Sequence, residues 1–406
     1  MAEGTPARTA LSPVPPAPVV SFVYGSEPSA GLLPQWQKTA HSRRLDGQRT
    51  EHVVTYSDPK TGLEVRTEAI LYHDFPAVEW VLHFRNAGTS DTPMLESILP
   101  LDAGLSLAAQ PPRTPILRYA KGALCSIDDF APVDKALGPG AQLHLEPGGG
   151  RSSSEVMPFF NVDLGSEGMI VAIGWTGQWA ATFSRDTESR LRLQAGMARS
   201  HLRLHPGEEI RTPRILALFW QGEPVRGNNL LRRFLLAHHR PQPGGKPIVL
   251  PVLVGSWGGS AAAAHLKTIQ QIAKHNLPVG LYWIDAEWFG QAPWWKSAGN
   301  WAVRTDLYPQ GLRPLSDALH SSGRRLLLWF EPQRVCQGTA WAKFKERPGW
   351  LLELGGGTPE YRQHNMNWGV PHEDPRWVLW ESRRSQIAEN DLLWNLGEPA
   401  ARAGEK

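Results

Sequence analysis

Two kinds of hydrophobic patterning divide this chain. From Phe22 to about Trp220 apolar positions come in short runs, alternating or continuous, each closed by turn residues. The run at 52–56 stops before Asp58-Pro59, that at 78–84 before Asn86-Ala87-Gly88, and further runs occupy 169–175, 191–195 and 201–204, the last ending at His205-Pro206-Gly207. Runs of strand length at regular intervals with turn signals between them predict a large antiparallel β-sandwich. After Gly227 the period changes. Leu230, Leu231, Phe234 and Leu235 fall at helical spacing and predict a helix over 227–239, followed by the linker-like Pro241-Gln242-Pro243-Gly244-Gly245.

Beyond the linker, strand and helix signals alternate. A β-branched run at 248–254 closes at Gly255-Ser256-Trp257, and a helix over 261–275 carries Leu266, Ile269 and Ile272 on one stripe. A strand ending at Asp285, a helix over 312–321 stopped by Gly323, and a strand over 325–331 complete the series. This grammar predicts βαβ units on a parallel sheet. The predicted organisation is a disordered Pro- and Ala-rich leader at 1–20, a β-sandwich domain at 21–241, a linker at 242–249 and a β/α domain at 250–406. No internal repeat is visible.

Composition changes this picture in one respect. The 406 residues, 41% hydrophobic and 20% charged, are ordinary for a globular chain of two domains. The 42 basic and 39 acidic residues are interspersed and leave a net charge of +3, no footprint for nucleic acid or an anionic membrane. Cys125 and Cys336 lie too far apart to read as a disulfide framework or a metal-ligand cluster. Apolar runs fall short of a membrane span, and the first 20 residues lack a basic start followed by a leucine-rich core. With no signal peptide evident, the expected location is cytoplasmic. The outlier is tryptophan, with 18 copies. Packing accounts for most of them, since each indole buries a large area.

The rest cluster beside carboxylates. Leu281-Tyr282-Trp283-Ile284-Asp285-Ala286-Glu287-Trp288-Phe289 and Leu326-Leu327-Leu328-Trp329-Phe330-Glu331-Pro332 are both apolar until they end in an acid with tryptophan beside it. In a parallel β/α barrel the strand bodies are buried on both faces and the C-terminal tips open into the active site. Carboxylates bind hydroxyls and indole faces stack on the C–H face of a pyranose. The pattern therefore points to carbohydrate chemistry.

Over nearly all of 22–401 the chain resembles glycoside hydrolase family 36, the α-galactosidases and raffinose-type galactosidases. Phe22-Val23-Tyr24-Gly25 with Leu32-Leu33, and the stretch 46–52, look like the family's opening strands, and Gly174-Trp175-Thr176-Gly177-Gln178-Trp179 looks like its sandwich signature. Ser256-Trp257, Ile284-Asp285-Ala286-Glu287-Trp288-Phe289 and Leu328-Trp329-Phe330-Glu331-Pro332 look like the ends of its first three barrel strands. The resemblance implies an N-terminal antiparallel β-supersandwich followed by the first strands of a truncated (β/α)8 TIM barrel. It also implies retaining hydrolysis of terminal α-galactosides in carbohydrate catabolism, a galactoside partner, and neither cofactor nor metal. A homo-oligomer is implied for the full-length parent, with Trp175 or Trp179 of one subunit reaching the pocket of another.

Carried over residue by residue, Asp285 matches an aspartate that hydrogen-bonds sugar hydroxyls, its alternative being a helix N-cap or loop ion pair. Trp329 matches an indole that lies against the sugar, the alternative being packing; Trp257 is a substrate contact or a core residue; Glu331 is a sugar ligand or the partner of one. Trp288, beside the same carboxylates, joins the substrate-binding set. The family follows its aspartate with a second Asp or an Ala-Gly pair; Ala286-Glu287 stands here instead, which puts galactose itself in question. His73-Asp74 and Asp128-Asp129 read as loop residues without chemistry.

Retaining cleavage in the family uses two aspartates about 5 Å apart, a nucleophile at the end of the fourth barrel strand and an acid/base further on. The stretch 392–400 resembles the start of the third barrel helix, and the span from Leu250 to Lys406 is shorter than the roughly 250 residues of a complete barrel. Neither aspartate is therefore expected, no catalytic residue is assigned, and the chain is expected to be inactive alone. Two other readings stand beside this one: a non-catalytic carbohydrate-binding paralogue, and a half-barrel complemented by a second chain.

Overall fold

The computed structural model describes residues 20–107, 113–123, 126–148, 151–187, 190–291, 293–353, 391–395 and 398–404. The expected disordered leader lies, but for Val20, outside the described residues, as does Cys125. The chain forms two compact units, one running to Arg240 and one beginning at Pro241.

The first unit is built from antiparallel sheets. Its ten-stranded sheet runs, edge to edge, through Pro132–Ala136, Ile116–Ala120, Phe159–Asp163, Glu167–Gly174, Arg214–Gln221, Ala77–Asn86, Leu63–Tyr72, Arg49–Ser57 and Gln37–Arg44, with Glu209–Arg211 added along Ala77–Asn86. A four-stranded sheet of Gln142–Leu145, Trp179–Arg185, Arg190–Met197 and Leu101–Ser106 packs against it. Alternation does the work in Trp179–Arg185: Trp179, Ala181 and Phe183 turn into the core with Leu82, Phe84, Val171 and Ile173, while Ala180, Thr182 and Ser184 turn away. Both edges of the large sheet are polar. Lys38, His41, Arg43 and Arg44 line one, and Pro132, Asp134 and Lys135 the other, which discourages further pairing.

Strands Glu167–Gly174 and Arg214–Gln221 read as unbroken apolar runs because both faces are covered. The outer face carries the helix Pro224–Phe234, whose Phe234 packs with Ile170, Ala172, Leu216, Leu218 and Trp220. A five-residue π-turn, Leu235–His239, continues it. That turn meets Glu79, 2% exposed, which accepts from Tyr72 Oη (2.8 Å), Arg214 Nη1 (2.6 Å) and His239 Nε2 (2.9 Å). Burial pushes the Glu79 carboxyl up, but these donors outweigh it and hold the group below its ordinary range. Asp74 likewise binds His238 at 2.9 Å. Trp179 is fully buried and donates through Nε1 to the carbonyl of Ser152 at 2.8 Å, which corrects the expectation that it reaches a neighbouring subunit. Trp175 is half-buried under the Arg211 guanidinium, 5.4 Å from the ring centre.

The second unit begins with three parallel strands in chain order, Val252–Ser256, Val279–Ile284 and Arg325–Leu328. The first starts later than the β-branched run predicted, since Ile248 and Val249 are outside it. Helices Ala262–Lys274 and Arg313–His320 return the chain between strands and bury Ile269, Ile272, Leu315 and Leu319 against Tyr282 and Ile284. Gly323, at φ +71°, ends the second helix region. The expected helix start over 392–400 is corrected. Asp391–Trp394 is a strand, antiparallel to both Arg334–Cys336 and Leu351–Glu353, because Leu392 and Trp394 bury against Val335, Trp341 and Trp350; the helix comes only at Pro399–Gly404.

Candidate functional site

The three parallel strands end level with one another. Ser256 pairs with Ile284, and Ile284 with Leu328. The backbone ladder runs one residue further, Asp285 N–H donating to the Ser256 carbonyl at 2.8 Å and Trp329 N–H to that of Ile284 at 3.0 Å. Trp257, Asp285 and Trp329 therefore emerge side by side at the C-terminal end of the sheet, where polar and aromatic groups can meet a ligand without breaking the apolar strand bodies.

Asp285 is half-buried. Its Oδ1 accepts the Ala286 N–H at 2.7 Å, and among the described residues nothing donates to Oδ2. Trp257 is 44% exposed. Trp329 is half-buried, its ring nearly parallel to that of Phe289 at 6.1 Å and edge-on to Trp294 at 5.5 Å. Glu331 is engaged elsewhere: it takes both arms of the Arg334 guanidinium, at 2.9 and 2.6 Å. That guanidinium is almost enclosed and lies 5.4 Å from the centre of the Trp294 ring. A bidentate pair of this kind fixes the loop after the third strand.

Trp288 departs from the sequence expectation. It is 3% exposed, and its indole N–H donates to the carbonyl of Trp329 at 3.0 Å. It braces the end of the third strand instead of facing a ligand.

Beneath the strand ends lies a buried polar group. Tyr308 O–H donates to the Gly258 carbonyl at 2.7 Å, so its oxygen accepts from His265 Nε2–H at 3.0 Å. Nδ1 of His265 is then the acceptor for Tyr282 O–H, also at 3.0 Å. Burial pushes His265 below its ordinary value and keeps it neutral, which suits a ring whose nitrogens are both spoken for. Through Gly258 this group holds the loop that presents Trp257. Gly258 has to be glycine, since a Cβ there would lie 2.4 and 2.5 Å from the carbonyl oxygens of Ala286 and Asp285.

Elsewhere, a cleft of about 890 Å³ belongs to the antiparallel unit and is lined by Trp36, Tyr56, Lys38, Asp102, Arg190 and Arg192; it shares no residue with the strand ends. Among the described residues no group of three or more His, Cys, Asp or Glu side chains could hold a metal ion, and no helix is long and apolar enough to cross a membrane.

The Melibiase family model matches residues 228–390. The α-galactosidase Mel36A of Lactobacillus acidophilus is 27% identical over 290 residues, 63% of this chain and 38% of its own length. The α-galactosidase of Escherichia coli is 26% identical over 282 residues, 64% of this chain and 38% of its own. Among solved structures, the GH36 α-galactosidase AgaA of Geobacillus stearothermophilus superposes with a TM-score of 0.70 at 17% identity, covering 96% of this chain and 52% of that one. The α-galactosidase of Lactobacillus brevis gives 0.66 at 18%, with 92% and 52% covered.

The chain is similar to the α-galactosidases of glycoside hydrolase family 36 along these stretches. It spans about two-fifths of the length of the curated relatives it matches and about half of the solved ones. AgaA structures include complexes with stachyose and with raffinose.

Three residues at this candidate site escaped sequence reasoning as site residues. Glu287 stood out only as a departure from the family motif, yet its Oε1 anchors the Trp294 N–H at 3.1 Å. Arg334, three residues after Glu331, offered the spacing of a local ion pair as its signal. Trp294 offered none beyond lying in a tryptophan-rich loop.

Proposed function

We propose that this chain supplies the galactoside-recognising portion of an α-galactosidase-type glycoside hydrolase: an antiparallel β-supersandwich joined to the first strands of a (β/α)8 barrel. The terminal sugar lies at the C-terminal ends of the parallel strands. Asp285 accepts hydrogen bonds from its hydroxyls, Trp329 offers apolar area to its C–H face, and Trp257 borders the same mouth. The observation that carries this reading is the level ending of the three strands, which brings Trp257, Asp285 and Trp329 together with Asp285 Oδ2 unoccupied by any described donor. The stachyose and raffinose complexes of AgaA support a galactoside as the ligand class. Glu331, committed to Arg334, acts by shaping the loop.

This reading concerns binding and assigns neither a nucleophile nor an acid/base. Calorimetric titration of raffinose should show binding that falls roughly 10- to 100-fold in Asp285→Ala, since hydrogen bonds to a charged group are worth about 1.5–3 kcal/mol. Trp329→Ala should lose about tenfold, given stacking of about 0.5–1.5 kcal/mol beyond area burial. Turnover of an aryl α-galactoside should stay at background. Wild-type affinity in Asp285→Ala, with an unchanged melting temperature, would remove the proposed site.

A further inference from the structure

Glu287 anchors the Trp294 N–H through one carboxylate oxygen and leaves the other at the mouth of the site. Its backbone sits at φ +72°, the left-handed region where glycine is at ease and a side chain is not. A residue retained in that conformation is a pointer to function when its side chain also has an unmet capacity. Glu287 meets that condition. Oε1 accepts the Trp294 N–H at 3.1 Å, whereas among the described residues nothing donates to Oε2.

The position of Oε2 is built by the loop opposite. A Cβ on Gly259 would lie 2.6 Å from Oε2 and 2.7 Å from the Trp257 indole nitrogen, so glycine there lets both groups keep their present positions. Gly258 lets that loop approach the backbone of Asp285 and Ala286. The cations nearby are committed. Arg304 binds Asp306 at 2.7 Å, and Arg334 binds Glu331 at 2.6 Å. Asp285 and Glu287 thus each present a carboxylate oxygen with no described donor at the same strand end, in a half-buried setting.

We propose that Glu287 is a specificity-determining residue whose Oε2 accepts a hydrogen bond from one particular hydroxyl of the bound sugar. A site that hydrogen-bonds a substrate hydroxyl discriminates strongly against the analogue lacking it, because its own polar group is left unpaired. The expected selectivity is therefore against sugars deoxygenated or substituted at that one position. This inference rests on the glycoside reading of the site.

The test uses the full chain and calorimetric titration with methyl α-galactoside and its four monodeoxy analogues, for wild type and Glu287→Gly, with thermal melts of both. One analogue should bind wild type at least about tenfold more weakly than the parent glycoside. That penalty should vanish in Glu287→Gly, which should bind the parent glycoside correspondingly less well. Glu287→Gly should also melt higher, because it relieves the left-handed backbone. A merely structural role through Trp294 makes the opposite forecast: a lower melting temperature with the deoxy penalties intact. Wild-type binding whose deoxy penalties survive in Glu287→Gly overturns this inference alone. Failure of wild type to bind methyl α-galactoside at all overturns the glycoside reading and this inference with it.

Discussion

In the antiparallel unit, strand Trp179–Arg185 buries every second side chain against a facing sheet, and Phe183 is 1% exposed. In the parallel unit, the first strand leaves Val252 56% and Leu253 44% exposed, and Val249 and Leu250 just before it are more than three-quarters exposed. Both sets of residues are equally apolar. They differ in where their partners come from. Antiparallel strands joined by short turns pair with their sequence neighbours and fold a face onto a second sheet within the same unit. Parallel strands carry apolar side chains on both faces, and these stay covered only when helices and further strands arrive from elsewhere. Local pairing closes the first unit, whereas among the three parallel strands of the second only the middle one carries fully buried side chains, Tyr282 and Ile284.

The largest expected effect lies in the closed core. Phe183→Ala should cost about 3–5 kcal/mol, as large-to-small changes do in a core that cannot collapse. Hydrogen exchange should then rise across the antiparallel sheets while peptides from 262–284 keep their protection. Loosening of both units together would break the comparison.

An intermediate effect should come from His265. Its folded value is depressed by burial below the ordinary 6.5, so the unfolded chain binds the proton more readily. The stability this neutral ring contributes is fully present above about pH 6.5 and is lost as pH falls through the window between the unfolded and the lower folded value. Protection factors in helix Ala262–Lys274, taken against the intrinsic exchange rate at each pH, should fall between pH 7 and 5, with the antiparallel unit lagging behind, and His265→Gln should flatten that slope. A slope that persists in the variant would place the acid sensitivity elsewhere.

The smallest effect should be Leu253→Ser. A side chain already 44% exposed has little burial to lose, and the cost should stay under about 1 kcal/mol in a denaturant melt. A loss approaching that of Phe183→Ala would mean that this face of the parallel sheet is covered in solution, and would sharpen the contrast into one of partners instead of chain geometry.

Much of this was legible from residue order alone. The switch from alternating runs to strand–helix alternation near Gly227, and the carboxylate and indole at the end of the second and third parallel strands, follow from periodicity, because a strand's apolar length and its polar tip are written in consecutive residues. The site was less legible. Trp257 and Trp288 look alike in sequence, each a tryptophan beside a strand end, yet one is 44% exposed and the other 3%. Glu331 and Glu287 are both acids within two residues of a tryptophan, yet one is locked to Arg334 and the other holds a single backbone N–H.

The sequence by itself thus determined the switch from alternating runs to strand–helix alternation, the order of the three parallel strands, and which residue types gather at their ends. The tertiary structure decided which of those residues face outward. That choice depends on groups distant in the chain: the Trp329 carbonyl that occupies the Trp288 indole, the Val335 and Trp341 side chains that make Asp391–Trp394 a strand, and the Gly259 backbone that leaves room for Glu287. Periodicity records the direction of a side chain relative to its own backbone. It carries no record of what waits on the other side.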